Sequence, residues 1–387
     1  MYLKTDRFSC AILLFGFTLR LLCGHNQYNT ICLYLQIHPF YDSIYVEKQG
    51  QITLLLKVRD LSLAILKEIS SIASVAMPIG ERWHLRRARY APEGASKGRI
   101  CIATGIHGDE VIGQLVTFGV AQRIMRQPEC LLGTADIYPM LNPLGLDVSD
   151  RMTPMTNFQD MNRSFPGAVG GTALESMCHA IYTDMLGADF VVDIHASTKG
   201  KSELYEARVD SPSAATTVPM CRALAPDLIW VYANKSAFNA TLTAALSAAG
   251  TPAVILEVDE RRRRPQDVAE RIVDSIFCKM TEMGLWTGDA APMPAQDHVI
   301  PCVRTGDNID RITCEHPGVY VPEDVIGKWV EAGDSLGTII DALEGVVRET
   351  ILAPHRGLVF SQRSYSAVYP GTLIARIYTP GKEESRA

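Results

Sequence analysis

Positive charge is in short supply: 37 lysines and arginines face 43 aspartates and glutamates, a net charge of −6 over 387 residues. A chain of that balance has no electrostatic footprint for nucleic acid, and a small-molecule partner is expected instead. The ten cysteines form no C-x-x-C pair and no regular framework. Their scatter argues against a zinc knuckle or a disulfide scaffold and suits reduced thiols in a cytoplasmic protein. Long apolar runs are lacking too. The strongest, FSCAILLFGFTLRLLCG near the start, is interrupted by Arg20 and is too short to span a bilayer, so no stable membrane association is expected. Lys4 and Arg7 precede it as they would in an export signal, but no small-x-small cleavage site follows. Residues 1–57 read as an extension that is disordered or misassigned, ahead of a body beginning near Val58.

What is present is an ordinary globular composition, 47% apolar and 21% charged, in a chain long enough for two domains. From Arg99 to Gly284 the pattern alternates: RICIATG, ADIYPML, ADFVVDIH, LIWVYA and PAVILEV read as buried strands, and 111–126, 173–187, 237–249 and 266–283 as helices. Such alternation predicts an α/β domain over 58–288 with a mostly parallel central sheet. DAAPMPA, Asp289–Ala295, reads as a linker. Residues 296–380 lose the helical period and become short glycine-punctuated strands, predicting a small C-terminal all-β domain. Its texture is that of a carrier domain, but no lysine lies between Trp329 and Tyr378 to hold a prosthetic group.

The chemistry gathers at strand ends. GIHGDEVIG, residues 105–113, places His107 and Glu110 three apart in a turn between a strand and a helix, and His195 ends the strand ADFVVDIHAS. Ligands of open α/β sheets collect at such carboxyl ends. Two imidazoles and a carboxylate are a three-ligand set suited to a catalytic zinc, one per subunit, with the fourth position left for water. SDRMTPMTNFQDMNRSFPG adds Arg151, Asp160, Asn162 and Arg163, and PAVILEVDE adds Glu257 at another strand end.

GIHGDE, R-x₈-D-M-N-R-S-F-P-G, D-I-H-A-S and V-I-L-E-V stand in that order between Gly105 and Val258. In these motifs the sequence resembles the succinylglutamate desuccinylase/aspartoacylase family of the zinc carboxypeptidase superfamily, and the glycine-rich β-region is similar to that family's C-terminal appendage. The resemblance implies that His107, Glu110 and His195 ligate zinc and that Asp160 accepts a hydrogen bond from a ligand imidazole. It implies that Arg163 with Asn162 grips a substrate carboxylate and that Arg151 faces the scissile carbonyl oxygen. Glu257 would be the general base and then the general acid. The implied activity is hydrolysis of the amide bond of a small N-acyl amino acid or N-acyl amine, by a deacetylase or desuccinylase, on a substrate bearing a carboxylate. A homo-oligomer is compatible with all of this. One departure touches specificity: the family often follows its glutamate with x-Gly, whereas here Val258, Asp259 and Glu260 follow.

Two other functions compete. A metallocarboxypeptidase would use Arg163 for a peptide's terminal carboxylate, and a β-domain far from the cleft would favour it; a β-domain covering the cleft would favour small substrates. A non-catalytic zinc-binding protein would have no use for Glu257 and Arg151. Several residues have plainer readings. Asp193 should share a strand face with His195 and either supports it or caps a loop; Glu175 and His179, four apart on a helix, read as solvated surface. His355 reads as a turn residue, and the run Arg261–Arg264 as a solvated loop or as a lure for an anionic substrate.

Overall fold

A computed structural model describes residues 65–380 except 78–79, 155–156, 198–199, 234–239, 260–263, 293–299 and 306, and only the backbone of strand segments before residue 65. The chain divides into two compact units, Met1–Ala64 and Ile65–Ala387. The first contains five consecutively paired antiparallel strands between Ser9 and Val58. The sequence reading of 1–57 as an extension concerns this unit, whose side chains lie outside the described residues.

In the second unit nine strands form one sheet: β1 (Ile65–Ala76), β2 (Arg82–Pro92), β3 (Arg99–Thr104), β4 (Thr134–Tyr138), β5 (Phe190–Ala196), β6 (Glu206–Asp210), β7 (Leu228–Tyr232), β8 (Ala253–Val258) and β9 (Cys302–Arg304). Their order is β9-β7-β6-β8-β5-β3-β4-β2-β1. The heart of it, β8-β5-β3-β4, is parallel throughout. β6 runs antiparallel to β8, and β1 and β2 close the far edge as an antiparallel pair. Parallel strands covered on both faces read as continuous apolar runs, and every residue of β5 and β8 is buried.

Helices follow the strands: α1 (Ile112–Arg126), α2 (Ala173–Met185), α3 (Leu242–Ala248) and α4 (Pro265–Glu282). Cys101 and Ala103 of β3 pack with Leu174, Cys178 and Ile181 of α2 and Leu242 and Leu246 of α3. Strand alternation turns Ile100 and Ile102 to the other face, and α1 contacts β3, β4 and β5 while packing on α4. Each leucine or isoleucine so buried contributes about 1.5–3 kcal/mol. Helix α2 begins in a capping box in which the Thr172 hydroxyl accepts from the Glu175 N–H and the Glu175 carboxylate accepts from the Thr172 N–H. Glu175 is thus a cap and not merely a solvated partner of His179.

The C-terminal strands make two antiparallel sheets. One orders Lys201–Glu203, Gly357–Arg363, Leu373–Tyr378 and Ile309–Thr313; the other Val346–Leu352, Ser335–Asp341, Gly318–Pro322 and Ser366–Val368. The boundary is less clean than the sequence implies. Lys201–Glu203, from the α/β region, pairs with Gly357–Arg363, and β9, beyond the expected linker, joins the nine-stranded sheet. Leu228, Val303, Leu358, Phe360 and Tyr378 form a small shared core at the seam.

Candidate active site

His107, Glu110, His195 and Glu257 sit at or just beyond the carboxyl ends of parallel strands. After β3 the chain turns at Gly105 in the left-handed region (φ +71°), a conformation that favours glycine. At Gly108 a Cβ would collide with the backbone of Gly145. These two glycines let the loop fold tightly enough to turn His107 and Glu110 inward before α1 begins. His195 comes from β5 and Glu257 from β8, paired in register as direct neighbours.

His107, Glu110 and His195 are 3%, 5% and 4% exposed, and one ligand atom from each lies within 4.8 Å of the others. His107 Nδ1 is 2.7 Å from Glu110 Oε1 and 3.2 Å from His195 Nδ1, which is 2.9 Å from Glu110 Oε2. The outer nitrogens are held by carboxylates: Asp160 Oδ1 is 3.1 Å from His107 Nε2, and Asp193 Oδ2 is 3.0 Å from His195 Nε2. Since each outer N–H donates outward, the tautomer that points a lone pair inward is favoured at both rings. Lone pairs converging at 2.7–3.2 Å fit a shared cation. A tetrahedral zinc with bonds of about 2.0–2.1 Å has edges of about 3.3 Å, so the donor set fits that metal.

Ligation needs both imidazoles neutral, so a cation at this point would compete with the protons that the cluster attracts. Burial alone would push the Glu110 carboxyl up, but His195 and His107 hold it well below the usual range. Burial also opposes charge on His195, yet Asp193 and Glu110 raise its pKa well above the ordinary histidine value. Such a buried carboxylate–imidazole cluster is held together by charge. Asp160 is likewise held low, with His107, Arg151 and Arg163 overcoming its burial. Arg151 donates to Glu110 Oε1 and to Asp160 Oδ2, each at 3.1 Å. Two of its five N–H groups are so used, and the rest can face the cavity.

These residues open onto a cavity of about 580 Å³ lined also by Asn162, Arg163, Glu257 and, from the β-domain, Thr305, Ile309, Arg311 and Arg376. Asn162 is buried; its side-chain oxygen accepts from the Leu242 N–H at 3.0 Å and leaves its NH₂ inward, 3.5 Å from His195 Nε2. Arg163 is exposed and donates to the Asn162 carbonyl at 2.7 Å. Glu257 is 8% exposed, and its Oε2 pairs with Arg208 at 2.9 Å. Burial, together with Glu203 and Glu110, outweighs Arg208 and His195 and raises the Glu257 carboxyl to about 7.

Arg208 is the residue the sequence reading missed. It pairs with Glu203 and Glu206, each at 3.0 Å, besides Glu257, and stacks over Trp230 with 4.9 Å to the ring centre. The available signal was Glu206-Ala207-Arg208, an opposite-charge pair on one strand face. Asp193 resolves to a partner of His195 rather than a loop cap. His355 lies apart from the site, half-buried and paired with Asp310 at 2.9 Å. Arg261–Arg263 lie outside the described residues.

Residues 96–277 match the family described as succinylglutamate desuccinylase/aspartoacylase catalytic domain. Solved structures of the same fold include an aspartoacylase family protein of Mesorhizobium loti (20% identity, TM-score 0.64, 83% of this chain and 96% of that one). A succinylglutamate desuccinylase/aspartoacylase of Rhodobacter sphaeroides aligns at 19% identity and TM-score 0.66, over 84% and 98% of the two chains. The product-bound ectoine utilization protein EutE (DoeB) of Ruegeria pomeroyi aligns at 18% and 0.66, over 82% and 95%. At these identities the likeness is one of fold. No curated protein matches the chain closely enough to count as a relative.

Proposed function

Through residues 96–277 the chain belongs to the succinylglutamate desuccinylase/aspartoacylase family, and from that premise we propose that it is a zinc-dependent amidohydrolase that removes a short acyl group from a small N-acyl amino acid or N-acyl amine. The observation that carries the reading is the convergence of His107, Glu110 and His195 on one point of a cavity that Glu257 also lines.

His107, Glu110 and His195 would hold the metal. When bound, it supplies an acidified water and polarises the amide carbonyl. Glu257, with a carboxyl near 7, takes the proton of the attacking water and returns it to the leaving amine, which departs poorly as an anion. A carboxyl of ordinary acidity would be too weak a base for the first transfer and too seldom protonated for the second. Arg151 donates its remaining N–H groups to the oxygen on which negative charge develops. Arg163 and the Asn162 NH₂ fix a substrate carboxylate, the guanidinium by a two-pronged contact that lysine lacks. Asp160 and Asp193 keep the two imidazoles in register.

The β-domain supports a small substrate over a peptide, because its residues form one wall of the cavity. Amine release by the zinc-loaded protein, measured on N-acetyl and N-succinyl amino acids beside short peptides with free C-termini, tests the reading. Turnover of the acyl amino acids is expected. Turnover of the peptides alone would transfer the protein to the carboxypeptidase reading, and silence on both would sink the hydrolase proposal for these substrates.

A further inference from the structure

Glu257 is the next-to-last residue of β8, and among the described residues its carboxylate has one ion-pair partner, Arg208, whose Nη1 lies 2.9 Å from Oε2. The other oxygen, Oε1, has none. Arg208 does not stand directly across from Glu257. Its register partner on β8 is Ile255, while Glu206 faces Glu257 itself, so the Arg208 side chain runs along the sheet towards the carboxyl end of β8 to make the contact. Ile255 and Glu257, two apart, share the strand face that lines the cavity with Arg208.

Arg208 is itself gripped at every nitrogen. Nε meets Glu206 and Nη2 meets Glu203, each at 3.0 Å, and Nη1 meets Glu257. Trp230, its register partner on β7, lies against the guanidinium with 4.9 Å to the ring centre. A planar fork with fixed donor directions can hold several carboxylates in set places relative to one another, which a lysine ammonium cannot. With all three nitrogens engaged, a substrate group could reach Arg208 only by displacing a buried carboxylate. Glu203 belongs in turn to the strand Lys201–Glu203, paired with Gly357–Arg363, where the Ser361 hydroxyl donates to it at 3.2 Å and Arg376 reaches it at 3.6 Å. A continuous chain of contacts thus runs from the C-terminal strands through Glu203 and Arg208 to Glu257.

We infer that Arg208 is a positioning residue for the general base: it clamps Glu257 Oε2 and leaves Oε1 to take and return the proton, while Glu203 ties the clamp to the C-terminal strands. This rests on the hydrolase reading for what Glu257 does, but not for where its side chain is held. A glutamate has several staggered side-chain conformations open to it, and the contact with Arg208 selects one. Misplacing a catalytic group by about 1 Å costs on the order of 10²-fold in rate, so a residue that never touches the substrate can govern turnover. The C-terminal strands thereby take part in the chemistry as well as walling the cavity.

Arg208→Lys and Glu203→Gln test the clamp, each by steady-state kinetics on the acyl amino acid that the parent turns over fastest and by a crystal structure of the full-length variant beside that of the parent. Lysine keeps a positive charge among the buried carboxylates but cannot hold three of them in fixed directions. In Arg208→Lys, kcat should fall about 10²-fold with KM within about twofold of the parent, and the Glu257 carboxylate should leave its place beside residue 208. Glu203→Gln, which keeps both Arg208 and Glu257, should lower kcat about tenfold at the same KM, the size of one lost charge-assisted contact. Thr172→Ala loses stability at the cap of α2 and should keep the parent's kcat, which separates positioning from mere destabilisation. Parent-like kcat in Arg208→Lys would overturn the inference, because charge alone would then suffice. A raised KM at unchanged kcat would overturn it too, making Arg208 a substrate contact, as would a Glu257 side chain unmoved in both variants. A displaced Glu257 in a protein inert towards every acyl amino acid would keep the clamp and refute the hydrolase reading instead.

Discussion

Glu206→Gln should flatten the pH dependence of stability. Glu206 is fully buried and stands directly opposite Glu257 across the antiparallel pair β6–β8. Both reach the one guanidinium of Arg208, which Glu203 also claims. Three carboxylates around one cation, away from water, cannot all ionise cheaply. Burial pushes the Glu206 carboxyl up to about 8, with Arg208 pulling it down and Glu203 and Glu257 pushing it further up. Its ordinary value in the unfolded chain is 4.5. Between those values the folded state binds more protons than the unfolded one, so stability falls as pH rises. At about 1.4 kcal/mol per pH unit, the site removes about 4 kcal/mol between about pH 5 and about pH 8. Glutamine keeps the shape and has no proton to lose. Urea unfolding of the chelator-treated parent and variant at those two pH values measures the difference. Glu257 and His195 also bias stability downwards across this window, but they are present in both proteins, while Glu110 and Asp160, held low, titrate beneath it. The variant should lose about 3–4 kcal/mol less than the parent. Equal losses in the two proteins would refute the argument that Glu206 is held protonated by its neighbours.

Glu110→Ala should abolish tight zinc binding, measured by metal analysis after dialysis, because it removes the one carboxylate among the three converging ligands. Glu257→Gln should retain the metal and lose turnover by about 10²–10⁴-fold, the worth of general acid–base help; near-normal amine release from it would show that another group moves the proton. Asp193→Asn, which loosens the grip on the outer nitrogen of His195, should lower zinc affinity about 10–100-fold in competition with a chelator. Thr172→Ala should cost about 1 kcal/mol of stability through the lost cap of α2 and leave activity untouched.

What the sequence made legible follows from how local each signal is. The buried strands and most helices are written in contiguous apolar periodicity, and the mostly parallel sheet follows from their alternation. His107 and Glu110 share one loop, so their spacing alone brings them close. His195 and Glu257 each end an apolar run, and parallel strands in register set such ends side by side. Arg208 was illegible for the opposite reason. Its meeting with Glu257 depends on β6 inserting between β7 and β8, parallel to the first and antiparallel to the second, a choice made by tertiary packing and not by any pattern within Glu206–Asp210. The strands β1 and β2 escaped notice because only Ile65, Leu85, Arg87 and Tyr90 along them are fully buried, which leaves a weak alternation. That β9, which follows the expected linker, pairs with β7 was not legible because it is a long-range contact without a local signature.

That pairing bears on how rigid the cavity is. A β-domain tethered only by a flexible linker would act as a lid that opens for a long chain. Here the β-domain is hydrogen-bonded to the α/β region through Lys201–Glu203 and Gly357–Arg363, while β9 anchors the chain just before it to the main sheet. The seam is further packed by Leu228, Val303, Leu358 and Phe360. Opening the wall formed by Thr305, Ile309, Arg311 and Arg376 would therefore require breaking strand pairing and exposing buried apolar surface, not merely rotating about a hinge. On the proposed reading, a peptide extending past Arg163 would meet that wall. The same strand pairing that ties the C-terminal strands to the α/β region thus fixes that wall of the cavity.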